Sequence, residues 1–148
     1  MYTDRIDWES YENTPPTRIG VYVDGANHKN PIPSCCRFGP LVESGSILGR
    51  DPATGEYAEG IDAQCNHMLE NLRRIIEAAG GTTQNIVKVT VWMKDRSHRP
   101  FLNAPWLAMF PDAQNRPARH AIYAPHLEGL KLIECVFTAY IPNTGKQP

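Results

Sequence analysis

The sequence predicts an α+β fold with strands and helices in the order ββαβαββ. Three observations carry it: a helical repeat of apolar residues from Ile61 to Ala79, an alternating strand from Val87 to Lys94, and a closing pair of strand-like runs at 118–124 and 130–141. That order places the helices on one face of a largely antiparallel or mixed sheet.

Residues 1–17 end in Pro15-Pro16 and read as an extension outside the core fold, with Trp8 and Tyr11 marking it as a segment that packs against something. Residues 18–25 read as the first strand. From Ala26 to Gly39 the Asn, Lys, Pro and Cys residues read as a loop. A second strand spans Leu41 to Leu48, and Asp51 to Glu56 forms a turn with Pro and Gly at suitable positions. In the first helix, Cys65, Met68, Leu69, Leu72, Ile75, Ile76 and Ala79 share one face, and Gly80-Gly81 stops it. Val87, Val89, Val91 and Met93 alternate with Lys88, Thr90, Trp92 and Lys94, the pattern of a half-buried strand. Phe101 to Phe110 reads as the second helix, with Pro105 expected to start a turn or kink it.

At 148 residues the chain suits one domain, assigned to 18–148, with a real core. Fifteen Lys and Arg against sixteen Asp and Glu give a net charge of −1 with no basic run. Phosphate binding normally needs concentrated positive charge, so nucleic acid is not the expected partner. The apolar runs are too short for a membrane span, and the acidic, aromatic N-terminus lacks a signal-peptide core, so a cytoplasmic protein is expected. Cys35, Cys36, Cys65 and Cys135 show no Cys-x-x-Cys pair and read as reduced thiols. The five histidines show no ligand spacing, so no metal is expected.

Two residues stand out chemically. Glu134 is the lone carboxylate in the strand 130–141, sharing a face with Leu132, Val136 and Thr138, while Ile133, Cys135 and Phe137 take the other. A carboxylate so flanked is costly to bury unless paired. Arg119 opens the preceding strand with Ala121 and Tyr123 on its face, and its planar guanidinium can clamp a small carboxylate. Mutual neutralisation of Arg119 and Glu134 is the plainer alternative.

Pro117-Ala118-Arg119 followed by the segment containing Glu134 resembles the C-terminal signature of the reactive intermediate deaminase family, also called the YjgF family. The likeness extends backwards. Gly20-Val21-Tyr22, Glu43-Ser44-Gly45, Asp51-Pro52-Ala53-Thr54-Gly55, the helix through Ala79, the strand from Ile86 and then Asn103 resemble family segments in the right order. The family's loop at 26–39 is usually shorter.

The resemblance implies a chorismate-mutase-like fold, a homotrimer or dimer of trimers with sites between subunits, and hydrolysis of enamines and imines of amino acids without any cofactor. It implies Arg119 as carboxylate clamp, Glu134 as the group that positions or activates water, and Tyr22 as a cleft residue able to relay a proton. Ser44, Gly45, Ala121 and Asn103 match substrate-contacting positions. Ala121 replaces a cysteine found in many bacterial members. Arg116, Arg50, Lys29 and Arg37 are additional cations that would suit a dicarboxylate near the clamp. Within the family the chain most resembles 2-aminomuconate deaminases, which convert 2-aminomuconate and water to 4-oxalocrotonate and ammonia. The extension, the inserted loop and Tyr123-Ala-Pro-His-Leu-Glu-Gly129 contribute to that likeness. A general deaminase of 2-imino acids and 2-aminoacrylate products, or a non-catalytic ligand-binding module, are the alternatives.

Overall fold

The computed structural model describes residues 6–143. Residues 1–5 of the predicted extension and 144–148 lie outside it. In chain order the elements are α1 (Trp8–Glu12), β1 (Arg18–Val21), β2 (Cys35–Phe38), β3 (Leu41–Ser44), β4 (Ile47–Leu48), α2 (Ile61–Ala78), β5 (Ile86–Met93), α3 (Arg99–Met109), β6 (Ala118–Tyr123) and β7 (Ile133–Tyr140). The strands form one seven-stranded mixed sheet in the order β1-β2-β3-β7-β5-β6, with β4 pairing β7 beyond the end of β3. Only β5 and β6, bridged by α3, run parallel; the other pairs are antiparallel.

The predicted α+β class holds, with helices α2 and α3 on one face, but two elements differ. The predicted loop 26–39 contains β2, which joins β1 to β3. Its Cys-Cys-Arg-Phe sequence hides the two-residue period, because Arg37, polar by type, is buried with Cys35 on the inner face. The predicted strand 41–48 is broken at Gly45-Ser46, where the Gly45 amide leaves the ladder and donates to the Ser34 carbonyl at 2.9 Å. The helix α3 runs through Pro105. The missing N–H deprives only the carbonyl of Phe101, and that residue is exposed, where water can substitute.

The core lies between α2 and the inner face of the sheet. Met68, Leu69, Leu72, Ile75 and Ile76 meet Val89, Val91, Cys135 and Phe137, all buried. Each large aliphatic side chain so buried contributes about 1.5–3 kcal/mol. Helix and sheet approach closely at Gly49, where a Cβ would stand 2.6 Å from the Gln64 carbonyl oxygen.

The N-terminal segment packs where α2 ends. Trp8 donates from Nε1 to the Ala78 carbonyl at 3.2 Å, and its ring lies against Gly80, whose φ of 90° favours glycine. Trp8 also stacks on Arg37, 4.6 Å from ring centroid to guanidinium carbon, and Tyr11 does so at 5.3 Å. Arg37 donates to the carbonyls of Gly39 and Ala79, each at 2.8 Å, and to Glu12 at 2.9 Å. Every guanidinium nitrogen thus has an acceptor, which is what allows a charge 1% exposed. Arg37 is therefore a structural cation and is corrected from the substrate-facing set.

The outer face of the sheet carries Thr90, Trp92, Glu134 and Val136, all half-buried, and α2 and α3 do not cover it.

Candidate active site

Arg119 and its neighbours form a cluster on the inner face, at the edge strand. In the parallel register Arg119 pairs with Val89 and Ala121 with Val91, so both point toward α3. Asn103 on α3 accepts from Nη2 of Arg119 at 2.8 Å, and the buried Trp106 ring lies 4.9 Å from the guanidinium carbon. Nη1 of Arg119 is buried and has no acceptor among the described residues. Burial first, and then the like charge of Arg99, pull the guanidinium below its ordinary pKa. It stays a cation, with one nitrogen fixed and the other left without an acceptor from the described residues. That geometry suits a carboxylate. Ala121 lies beside it, in the wall of a hollow of about 240 Å³ shared with Arg96, Arg99 and Tyr123.

Glu134 belongs to a second cluster. It pairs with Trp92 on one side and Leu48 on the other, which puts it on the outer face. Its charge acts on His28 and Tyr57, close neighbours from two loops. Burial is the largest influence on both: it lowers the His28 pKa and raises that of Tyr57. The His28 ring covers Gly45, with Nε2 3.1 Å from where a Cβ would stand, so a side chain there would push the ring back by a few tenths of an ångström. Ser44 accepts the Phe137 amide at 2.8 Å, replacing a rung of the ladder where β3 breaks off. Tyr22 follows β1 on the side of Gly20, its ring edge 3.6 Å from a Cβ built there.

The sequence-predicted residues thus fall into two groups: Arg119, Asn103 and Ala121 inside, and Glu134, Gly45 and Tyr22 away from them. Arg119 and Glu134 do not neutralise each other. Arg116 is also taken up structurally, donating to the Phe110 and Pro111 carbonyls at 2.8 and 3.2 Å. Sequence reasoning missed Arg99 and Trp106, although Arg99, Asn103 and Trp106 stand at i, i+4 and i+7 on one helix face. It also missed His28, Tyr57 and Lys131, which come together only through folded loops.

Residues 34–141 match the family described as Endoribonuclease L-PSP. The chain belongs to this RidA/YjgF family. A curated relative from Salmonella typhimurium, named 2-iminobutanoate/2-iminopropanoate deaminase, is 34% identical over 76% of this chain and 80% of the relative. The RutC family protein PH0854 of Pyrococcus horikoshii is 37% identical over 61% of this chain and 71% of its own length. Among solved structures, RidA from the Antarctic bacterium Psychrobacter is 31% identical with a TM-score of 0.76, covering 83% of this chain and 99% of that one. The seven-stranded sheet described above is therefore a RidA/YjgF fold.

Proposed function

We propose that this protein is a cofactor-free hydrolase of C–N bonds that deaminates 2-imino and enamino carboxylates. The observation that carries this reading is the buried Nη1 of Arg119, short of an acceptor, beside Asn103 and Trp106 in a chain of this family. The relative named 2-iminobutanoate/2-iminopropanoate deaminase supports it. In the reaction an enamine first takes a proton on carbon to become the imine. Water then adds to the imine carbon, and the carbinolamine expels ammonia to leave the 2-oxo acid. Arg119 holds the carboxylate next to the reacting carbon. Glu134 accepts a proton from the attacking water and returns one to the departing nitrogen, and Tyr22 lines the cleft.

Because Arg119 and Glu134 face opposite ways in one chain, the reading requires a second copy to bring its Glu134 to Arg119. A homotrimer or dimer of trimers, closed around the uncovered outer face, supplies such a pairing. Within the substrate class we place 2-aminomuconate first, on the likeness of the inserted loop and of Tyr123–Gly129 to deaminases of that compound. The short imines named for the Salmonella relative favour a general 2-imino acid deaminase as the second reading. A cytoplasmic protein acting on small carboxylates, not on nucleic acid, fits the net charge of −1. Ammonia release from 2-iminobutanoate and from 2-aminomuconate, each made in place by a supplying enzyme, tests the reading. Release from neither above the uncatalysed rate overturns it.

A further inference from the structure

Next to Glu134 the outer face opens into a hollow of about 460 Å³ that none of the residues assigned so far explains. Its walls include His28 and Lys29 from the inserted loop, Arg50, Tyr57, Lys131 and, as the only carboxylate among the lining residues, Glu56. Three full positive charges therefore face one negative charge. Gly49 is turned into α2, so Leu48 and Arg50 face the other way, and Leu48 is the residue in register with Glu134. Arg50 lies two residues farther along, a displacement of ~7 Å in extended chain.

Two buried nitrogens on residues lining this bay lack hydrogen-bond partners among the described residues: Nε of Arg50, and Nε2 of His28, which is turned toward Gly45. The Arg50 guanidinium is otherwise anchored, donating from Nη2 to the Asn27 carbonyl at 2.8 Å. A buried donor left unpaired is destabilising, so such positions are normally filled by a ligand or an ordered water. Arg50, Lys131 and His28 line one hollow, and they sit one short step beyond the proposed acid–base group. An anion with delocalised charge matches that arrangement.

We infer that this bay, built by Arg50, Lys131 and His28, receives the distal carboxylate of a dicarboxylic imine or enamine, and so sets the enzyme's preference for dicarboxylates. The inference rests on the deaminase reading above and extends it. The substrate's near carboxylate is held by Arg119, its reacting carbon lies at Glu134 of the neighbouring copy, and its far end reaches past Glu134 into the cations of that same copy. The inserted loop thereby acquires a function, because it supplies His28 and Lys29 and the Asn27 carbonyl that holds Arg50 in place.

The test compares kcat/KM for 2-aminomuconate and for 2-iminobutanoate in the intact protein and in the variants Arg50→Gln and Lys131→Met. Each variant is expected to lower the ratio of dicarboxylate to monocarboxylate efficiency by tenfold or more, through KM. An unchanged ratio overturns the bay, as does wild-type turnover of the monocarboxylate alone. Calorimetric binding of adipate and of butyrate to the same proteins gives a readout independent of turnover. Adipate is expected to bind more tightly than butyrate in the wild type and to lose that advantage in both variants. If the wild type hydrolyses neither substrate the deaminase reading fails, and adipate binding that is insensitive to Arg50→Gln and Lys131→Met then overturns the bay as well. Melting curves identify a variant that merely misfolds; Lys131, outside the Arg50–Asn27 contact, supplies the second perturbation.

Discussion

Arg119 and Glu134 project from opposite faces of one sheet: Arg119 is in register with Val89 and Glu134 with Trp92, three positions apart on β5. Successive strand residues alternate faces, so an odd separation puts the two side chains on different sides. A single chain cannot turn both onto one substrate.

Complementation between defective chains is the direct consequence. Arg119→Ala and Glu134→Gln should each be nearly inactive alone. When the two are mixed after dissociation and reassembled, roughly a quarter of the interfaces in a random equal mixture pair an intact Arg119 with an intact Glu134. Activity should return to about that fraction of wild type. A mixture that stays as inactive as its components would show that the two residues do not share a site.

The clamp itself predicts a steep dependence on side-chain shape. Arg119→Ala should lose roughly 2–5 kcal/mol of transition-state binding, the scale for truncating one partner of a desolvated charge pair. Arg119→Lys should recover little, because an ammonium cannot donate to Asn103 and to a carboxylate through a rigid fork or stack as flatly on Trp106. Steady-state kcat/KM for the three proteins decides; near-wild-type efficiency in Arg119→Lys would contradict the clamp.

Glu134→Gln preserves shape and removes proton transfer. Turnover should fall by ~10²–10⁴ while the melting temperature and the binding of a substrate-like carboxylate are retained. A variant that melts much earlier, yet whose folded fraction turns over normally, would make Glu134 a structural residue instead.

The buried thiols predict alkaline sensitivity. Burial pushes Cys35 and Cys65 up from 9.0 to about 12, and Cys135 also upward. Above about pH 9 the unfolded chain releases thiol protons that the native protein keeps, so the native state binds more protons and stability falls as pH rises. The stabilisation is whole below about pH 9 and is lost progressively up to the folded value, by about 1.4 kcal/mol per pH unit per thiol. Urea unfolding across that range should show the slope, and Cys65→Ala should reduce it by one thiol's share, leaving that of Cys35 and Cys135.

Arg37 predicts a stability role for the N-terminal segment. Glu12→Ala removes the only carboxylate among the described residues bonded to a guanidinium 1% exposed, while the Gly39 and Ala79 carbonyls remain. The cost should be on the order of 2–3 kcal/mol, below the full 3–5 for stranding a buried charge. Chemical denaturation measures it, and a change within error would mean that the aromatic rings and carbonyls suffice.

Much of this fold was legible because its signals are periodic and local. α2 announces itself by apolar spacing and a glycine stop, and β5 by alternation between valines and polar residues. β2 was not, because Arg37 is buried by partners 25 and 42 residues away, and no local pattern encodes them. The site divides the same way. Arg119, Glu134 and Asn103 could be named from the sequence, whereas the two-sided arrangement depends on strand pairing. The bay of His28, Arg50 and Lys131 depends on loop packing that leaves no periodic trace.

The place of β7 in the sheet bears on how the chain must be made. It is the last of the described strands to leave the ribosome, yet it lies between β3 and β5 and also carries β4. Until it emerges, β1-β2-β3 and β5-β6 are separate ribbons whose inner edges stand open to pairing with any other chain. The Asn143 side chain, immediately downstream, donates to the Glu12 carbonyl at 3.0 Å, so the first-made helix also awaits the last-made segment. Closure therefore waits for β7 and is dominated by contacts distant in sequence, which slows it. A nascent chain interrupted before Ile133 would be left with two unpaired edges and no centre.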